Sequence, residues 1–317
     1  MSPSALQAVA DLVRAGGVCV LSGAGISTES GIPDYRGPDG TRRVQPMSYD
    51  EFLASSDARR RYWARAFAGW PRFCAARPNE GHRCVARLED DGFVDDVITQ
   101  NVDGLHQSAG SRAVEELHGT LSVVRCLMCE KRVSREEVQE RLAEANPHFL
   151  ADDRSRRDRT AAGAMVATIP ELSAPQPDGD MALPDEATHD FTLVTCLRCG
   201  ADTLKPDVVY FGESVPKGRV ARCSAAVERC RSLLVLGSSL QVMSGYRFVR
   251  QARKAGTPVA VITRGATRGH AETTHHVDAP LGESLSTLRA LISAPANPLP
   301  AAFADFPVDP RSRGGRD

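Results

Sequence analysis

Lysine is nearly missing from this 317-residue chain. Only four of its 39 cationic side chains are lysines (Lys131, Lys205, Lys217 and Lys254); with so much alanine and arginine this suggests GC-rich coding and carries no mechanism. Net charge is missing too. Forty acids against 39 cations leave −1, which excludes a global basic footprint for nucleic acid or for an anionic membrane. No run of about 18 apolar residues exists to span a bilayer. The N-terminus has no basic stretch leading into an apolar one, so no secretory signal is expected. With one Arg and one Asp in its first fifteen residues it makes a poor transit peptide. There is no internal repeat. A disulfide framework is not required, because a chain of this length, with a prior of about two domains, buries a core of its own. The nine cysteines are odd in number; four form two Cys-x-x-Cys pairs and five are scattered, which fits a reducing compartment and predicts a cytoplasmic protein.

What is present alternates. Ser4 and Gln7 have capping-box spacing, and Leu6, Val9, Ala10 and Val13 fall on one helical face. Val18–Leu21 reads as a buried strand closed by the turn Gly23-Ala24-Gly25. Further strands are expected at 94–99, 113–117, 233–236 and 259–262, with helices at 57–70, 215–230 and 245–254 between several of them. Strands alternating with helices predict an α/β fold, a Rossmann-like parallel sheet with helices on both faces. In such sheets ligands bind beyond the carboxyl ends of the strands, and polar or glycine residues gather at those ends five times. Residues 126–199 break the alternation and suggest a second, smaller module with a helix at 134–144 and a long insert across 131–190. A segment dense in both charge signs, 152–159, and a proline-rich tail from 294 look disordered.

Cys126, Cys129, Cys196 and Cys199 match a tetrahedral four-thiolate zinc site, one ion per chain, whose closed shell makes it structural. Redox pairs or plain buried cysteines are the alternatives; residues 130–195 exceed the usual ribbon spacing, so a loop must bulge out. Gly23-Ala24-Gly25 lacks the third glycine of the dinucleotide fingerprint and could be a tight turn only. Its continuation to Gly37 is poor core material and a good loop for phosphates and sugar hydroxyls, with Arg36 adding positive potential. Asn101-Val102-Asp103-Gly104 could be a turn or helix cap, and His118 could be hydrogen-bonded filler. Yet Gln100, Asn101, Asp103 and His118 would share one sheet edge, where an imidazole serves as a general base near neutral pH. Arg59-Arg60-Arg61-Tyr62-Trp63 reads as a solvated helix face with its aromatics partly packed, not as a nucleic-acid patch.

These segments together resemble the sirtuins, NAD-dependent protein lysine deacylases. The resemblance rests on GAGIS (23–27) with GIPDYRG (31–37), TQNVDGLH (99–106), LHG (117–119), the two CxxC pairs, KPDVVYFGE (205–213) and GSSLQV (237–242), in the family's order over residues 5–292. Tyr35, the segment YWARAFAGWPRF and GSSLQVMSGYRFV resemble the class II branch. The Tyr-x-x-Arg carboxylate reader of the desuccinylase-like branch is read as absent after GIPDYRG.

The resemblance implies a Rossmann-type domain assembled from 1–45, 75–124 and 202–293. A helical part of the small domain at 46–74, a zinc module at 125–201 and the tail 294–317 complete the division. It implies NAD held by Gly23, Ala24, Gly25, Glu29, Asp34, Tyr35 and Arg36, by Gln100, Asn101 and Asp103, and by Gly237, Ser238, Ser239 and Thr263, the last where relatives often carry Asn. It makes His118 the catalytic base with Asn101 beside it, and Val209, Phe211, Gly212 and Glu213 the substrate strand. Acyl-lysine proteins are the implied partners, with neither nucleic acid nor membrane. A mono-ADP-ribosyltransferase, a longer-chain deacylase and an NAD-responsive scaffold without chemistry are the rival outcomes of the same residues.

Overall fold

The computed structural model describes residues 3–37, 39–149 and 176–293; the charge-dense segment and the tail fall outside them. Nine strands and nine helices are described. The strands are β1 Val18–Ser22, β2 Val94–Thr99, β3 Val114–Glu116, β4 Gly119–Cys126, β5 Arg132–Ser134, β6 Leu204–Val208, β7 Ser232–Leu236, β8 Val259–Thr263 and β9 His275–Asp278. The helices are α1 Pro3–Arg14, α2 Tyr49–Ala54, α3 Ser56–Ala75, α4 Glu80–Asp90, α5 Leu105–Ser108, α6 Arg135–Ala145, α7 Lys217–Arg229, α8 Met243–Lys254 and α9 Leu281–Ser293.

Six strands form one sheet in the order β3-β2-β1-β7-β8-β9, every neighbour parallel. Parallel strands are covered on both faces, which is why β1, β7 and β8 are buried along their whole length and read as unbroken apolar runs. The period of two divides each strand between two cores. Val18 and Val20 face α1, α4 and α9 on one side, whereas Cys19 and Leu21 face α7 and α8 on the other. The doubly covered α/β sheet expected from the alternation is therefore present. Helix α1 begins at Pro3, so Ser4 lies inside it instead of capping it, and Gln7 donates to Asp11. Strand β9 and helices α4 and α9 were not read from the sequence.

Strands β5-β4-β6 make a separate antiparallel sheet, packed with α3 and α6 around a third core that holds most of the buried aromatics. Tyr62, Trp63 and Phe67 are fully buried there, more deeply than the partly packed face expected, while Arg60 and Arg61 pair with Asp57 on the surface. Arg135 is buried too. Its guanidinium lies 5.1 Å from the ring of Trp63 and 4.5 Å from that of Trp70, and it donates to the carbonyl of Ala66. A charge this deep is tolerable because π-faces and a carbonyl replace its water.

Candidate active site and metal centre

Strand order reverses at β1. Its partner on one side, β2, comes next along the sheet, and its partner on the other, β7, comes after the antiparallel module. A crevice opens where chains leave such a pair in opposite directions. The glycines here are set first by packing. A Cβ on Gly25 would meet the carbonyl oxygen of Gly237 at 2.8 Å, and Gly237 itself has φ +61°. The two turns nest through Gly25 N–H donating to Gly237 O at 2.9 Å. No larger residue fits, so the glycine turn holds the crevice open at its floor and leaves its outer rim to small polar groups.

All the cofactor and substrate residues expected above line a single cleft of about 960 Å³. Gln100 Nε2 bridges the two sides, donating to Ser22 O and to Ser238 Oγ. Asn101 Nδ2 donates to Gly23 O and to Ser27 Oγ. Ser27 in turn donates to Asp103 Oδ2 at 2.6 Å, and Asp103 Oδ1 accepts from the backbone N–H of Leu105 at 2.9 Å. Asp103 thus does cap α5 while it lines the cleft. Burial holds its acidity weaker than usual. Behind this layer His82 and His106 stack edge to face at 5.0 Å. Desolvation pushes them down to about 4 and about 3, so both are uncharged near neutral pH.

His118 sits at the start of β4 with both ring nitrogens engaged. Nδ1 lies 2.9 Å from the carbonyl of Gln100 and Nε2 lies 2.8 Å from Ser244 Oγ. A carbonyl only accepts, so Nδ1 carries the proton and Nε2 offers its lone pair to the cleft. Burial lowers the His118 pKa from the usual histidine value, which keeps Nε2 unprotonated near neutral pH, its lone pair accepting from Ser244 Oγ. His118 is held in place by Val209, whose N–H donates to His118 O at 2.8 Å.

On the loop side, Glu29 accepts from Gly282 N–H at the head of α9, and Asp34 pairs with Arg43 at 3.0 Å. Arg36 donates to Gly40 O. Tyr35 meets Phe211 edge-on at 5.8 Å, and Arg42 lies 5.0 Å over the same ring. The loop that carries Tyr35 and Arg42 is therefore in contact with the segment at Phe211. Glu213 turns inward to a buried ion pair with Lys205 at 2.9 Å and accepts from Tyr210 N–H. It braces the strand end, leaving Phe211 and Gly212 outermost. Ser238 and Ser239 lie on the opposite rim just beyond β7, with Thr263 the last residue of β8.

Residues that sequence reasoning missed also line the cleft: Ser27, Ser244, Arg247, Tyr62 and Asp178. Ser27 and Ser244 stood within quoted motifs and could have been found by asking what the neighbouring amide and imidazole bond to. The Tyr-x-x-Arg spacing, read as absent, is present as Tyr62 and Arg65 on α3. Arg65, however, donates to Leu183 O and pairs with Asp185 at 2.7 Å, and it is not among the residues lining the cleft. As a carboxylate reader the pair is spent.

Away from the cleft, the four Cys-x-x-Cys sulfurs converge. Their Sγ atoms all lie within 4.8 Å of one another, with Cys126–Cys199 at 3.7 Å and Cys129–Cys196 at 3.6 Å. Zn–S bonds of about 2.3 Å at tetrahedral angles place sulfurs about 3.8 Å apart. No disulfide joins them. The donor set fits one zinc ion with a closed shell.

A family model described as the Sir2 family matches residues 23–244. An NAD-dependent protein deacetylase 1 of Streptomyces coelicolor is 54% identical over 284 residues, covering 89% of this chain and 88% of its own. The NAD-dependent protein deacylase Sirt4 of Drosophila melanogaster is 46% identical over 79% of this chain and 75% of its own. A solved Sir2 complex with a p53 peptide and NAD+ superposes with TM-score 0.65 at 26% identity, covering 88% of this chain and 95% of that one.

Proposed function

The chain belongs to the Sir2 family, and from that premise we propose that it is an NAD-dependent protein lysine deacetylase, moving the acyl group of an acyl-lysine onto ADP-ribose with release of nicotinamide. One observation carries this. Residues of separate motifs, far apart in sequence, meet around one cleft at the switch point of the sheet, with an uncharged His118 directed into it. The relatives named as NAD-dependent deacetylases support the same reading. The class II assignment is supported by the likeness to Sirt4.

Bound NAD would supply a sugar carbon that the acyl oxygen can attack as nicotinamide departs. The chain's own groups do the rest. The Gly23–Gly25 turn and the loop through Arg36 receive the phosphates and sugars, together with Ser238, Ser239 and, at the adenosine end, Thr263 in place of the usual amide. Gln100, Asn101 and Asp103 orient the departing side. Their amide N–H groups are all engaged in a fixed network that holds the remaining oxygen lone pairs in place, so little reorganisation is needed at the moment of reaction. His118 Nε2 accepts a proton from a sugar hydroxyl, and the Gln100 carbonyl that holds Nδ1–H stabilises the imidazolium formed. Tyr35 packed on Phe211 closes the loop over the substrate strand and excludes water from a water-sensitive intermediate.

The peptide would add as a strand between 209–213 and 242–245. Zinc held by Cys126, Cys129, Cys196 and Cys199 has no open position for water and would be structural. The domain division read from the sequence belongs to the same proposal, as do cytoplasmic location and protein partners without nucleic acid, supported by the balanced charge. The test is product analysis with NAD and acetyl-lysine peptide. Deacetylated peptide together with acetyl-ADP-ribose is expected; a peptide left acetylated while NAD is consumed would overturn the assignment.

A further inference from the structure

The cleft has an end that no motif describes. Residues 176–180 form a tight turn, with Gln176 N–H donating to Asp180 O at 2.9 Å and Gly179 N–H to Gln176 O at 3.2 Å. The turn is seated on α3 at Gly69, where a Cβ would come within 2.1 Å of the Gly179 carbonyl oxygen. Met181 N–H then donates to Arg65 O. This seating presents Asp178 to the cleft beside Tyr62, Val208 and Tyr210. Backbone N–H groups of residues 178 and 180 steady its carboxylate. Its Oδ1 is nevertheless buried with no partner among the described residues, while the hydroxyl of Tyr210 stands beside that of Tyr62.

A buried acceptor without a donor is costly unless a ligand completes it. Arg65 does not, since it is bonded to Leu183 and Asp185. Burial pushes the Asp178 carboxyl up to about 6, so it is largely ionised at pH 7.5. Asp180 beside it is a second carboxyl, with the phenols of Tyr35, Tyr62 and Tyr210 around the pair; the cations that act on the two carboxyls, Arg65 and Arg135, are already bonded elsewhere and do not line the cleft. An anionic acyl end meets repulsion here. A plain hydrocarbon end leaves the acceptor unpaired.

We propose that Asp178 is a specificity-determining residue at the acyl end of the cleft, and that it selects a short acyl chain carrying a hydroxyl, which donates to Oδ1 while the Tyr210 hydroxyl stands within the same pocket. The proposal rests on the deacylase reading and deepens it.

The test compares one peptide sequence carrying butyryl-, 3-hydroxybutyryl-, succinyl- or acetyl-lysine, on the full zinc-loaded chain. The 3-hydroxybutyryl to butyryl ratio of kcat/KM is expected to be on the order of tenfold in the parent protein, the worth of one buried hydrogen bond. In Asp178→Leu the ratio should fall to about one or below. In Asp178→Asn, which keeps an acceptor oxygen, the ratio should persist while succinyl turnover rises several-fold through loss of the like charge. Calorimetric binding of the butyryl and 3-hydroxybutyryl peptides to the same proteins reads the preference without turnover. A parent ratio near one, or a ratio untouched by Asp178→Leu, overturns the proposal. If no peptide is deacylated, acetyl included, the deacylase reading falls, and the binding preference still decides the role of Asp178.

Discussion

The two ends of the cleft are built on opposite principles. At the switch point almost every polar atom already has a partner: Gln100 on Ser22 and Ser238, Asn101 on Gly23 and Ser27, Asp103 on Ser27 and Leu105, His118 on Gln100 and Ser244. At the far end Asp178 Oδ1 is left open. On the proposed function, groups that work on every turnover are held rigid by their neighbours, whereas the group proposed to sort substrates is left for the substrate to complete. Loss of a residue at the first end should therefore alter rate, and loss at the second should alter preference.

The largest expected effect lies outside both ends and tests whether the far end depends on the metal. Cys196→Ser should remove the zinc. Structural zinc is worth about 10–16 kcal/mol in small peptides, so β5-β4-β6 and the turn seated on α3 should lose their order. Metal analysis should give one zinc per chain in the parent and little in the variant. Both tryptophans, Trp63 and Trp70, lie in this module, so their fluorescence should shift. Full zinc occupancy in the variant would remove Cys196 from the ligand set.

Next comes the base. His118→Ala should lower deacetylation by about 10²–10⁴-fold with melting temperature nearly unchanged, because the ring's partners are a half-buried hydroxyl and a carbonyl at the cleft, where water can replace the ring. An undiminished rate in the purified variant would take His118 out of the chemistry.

Acid should separate the ends. His82 and His106 behind the cofactor end titrate at about 4 and about 3 in the fold, against about 6.5 when unfolded. A base whose folded pKa is depressed contributes stability that is complete above pH 6.5 and lost as pH falls toward 4 and then 3, on the order of 1.4 kcal/mol per pH step and group. Asp178 works the other way. Its folded pKa, about 6, lies above the unfolded carboxylate value of about 3.9, so falling pH through that window favours its native environment. Hydrogen exchange labelled at pH 7 and pH 5, corrected for intrinsic rates, should show protection lost around 99–108 and retained around 176–183. Equal losses in both segments would contradict this assignment of the two ends.

Much of the first end was legible in the sequence and little of the second. Parallel strands buried on both faces announce themselves as apolar runs, and their carboxyl ends carry the polar residues that line the cleft. Strand β9 did not announce itself, because His275-His276-Val277-Asp278 is an edge strand with one buried apolar residue. Helix α4 starts from Asn79 and His82 as its capping pair in place of the expected hydroxyl and carboxyl. Strand β6 buries Lys205 and Asp207 in ion pairs with Glu213 and Arg219, against any hydropathy pattern. Asp178 follows a proline-rich stretch with no periodicity, and its place depends on one close approach, Gly69 against Gly179, that exists only in three dimensions. Contacts between distant backbone segments leave no local mark on either.

The smallest expected change tests the rigid end at its most ambiguous residue. Asp103 is both a cap, through Leu105 N–H, and the acceptor for Ser27 Oγ. Asp103→Asn keeps an oxygen for the cap and replaces the other oxygen by a donor. Ser27 can then no longer donate to residue 103. Its hydroxyl must accept there, as it already accepts from Asn101 Nδ2. The cap survives, so the stability loss should stay below the roughly 0.5–2 kcal/mol that removing a capping side chain costs. The cleft does change, because an acceptor edge has become a donor edge where the leaving amide is held. Weaker inhibition by nicotinamide and slower NAD cleavage should therefore accompany a nearly unchanged melting temperature. Measured on one preparation, inhibition equal to the parent's would reduce Asp103 to a cap, whereas a several-fold weaker inhibition at constant melting temperature assigns it to the cofactor end.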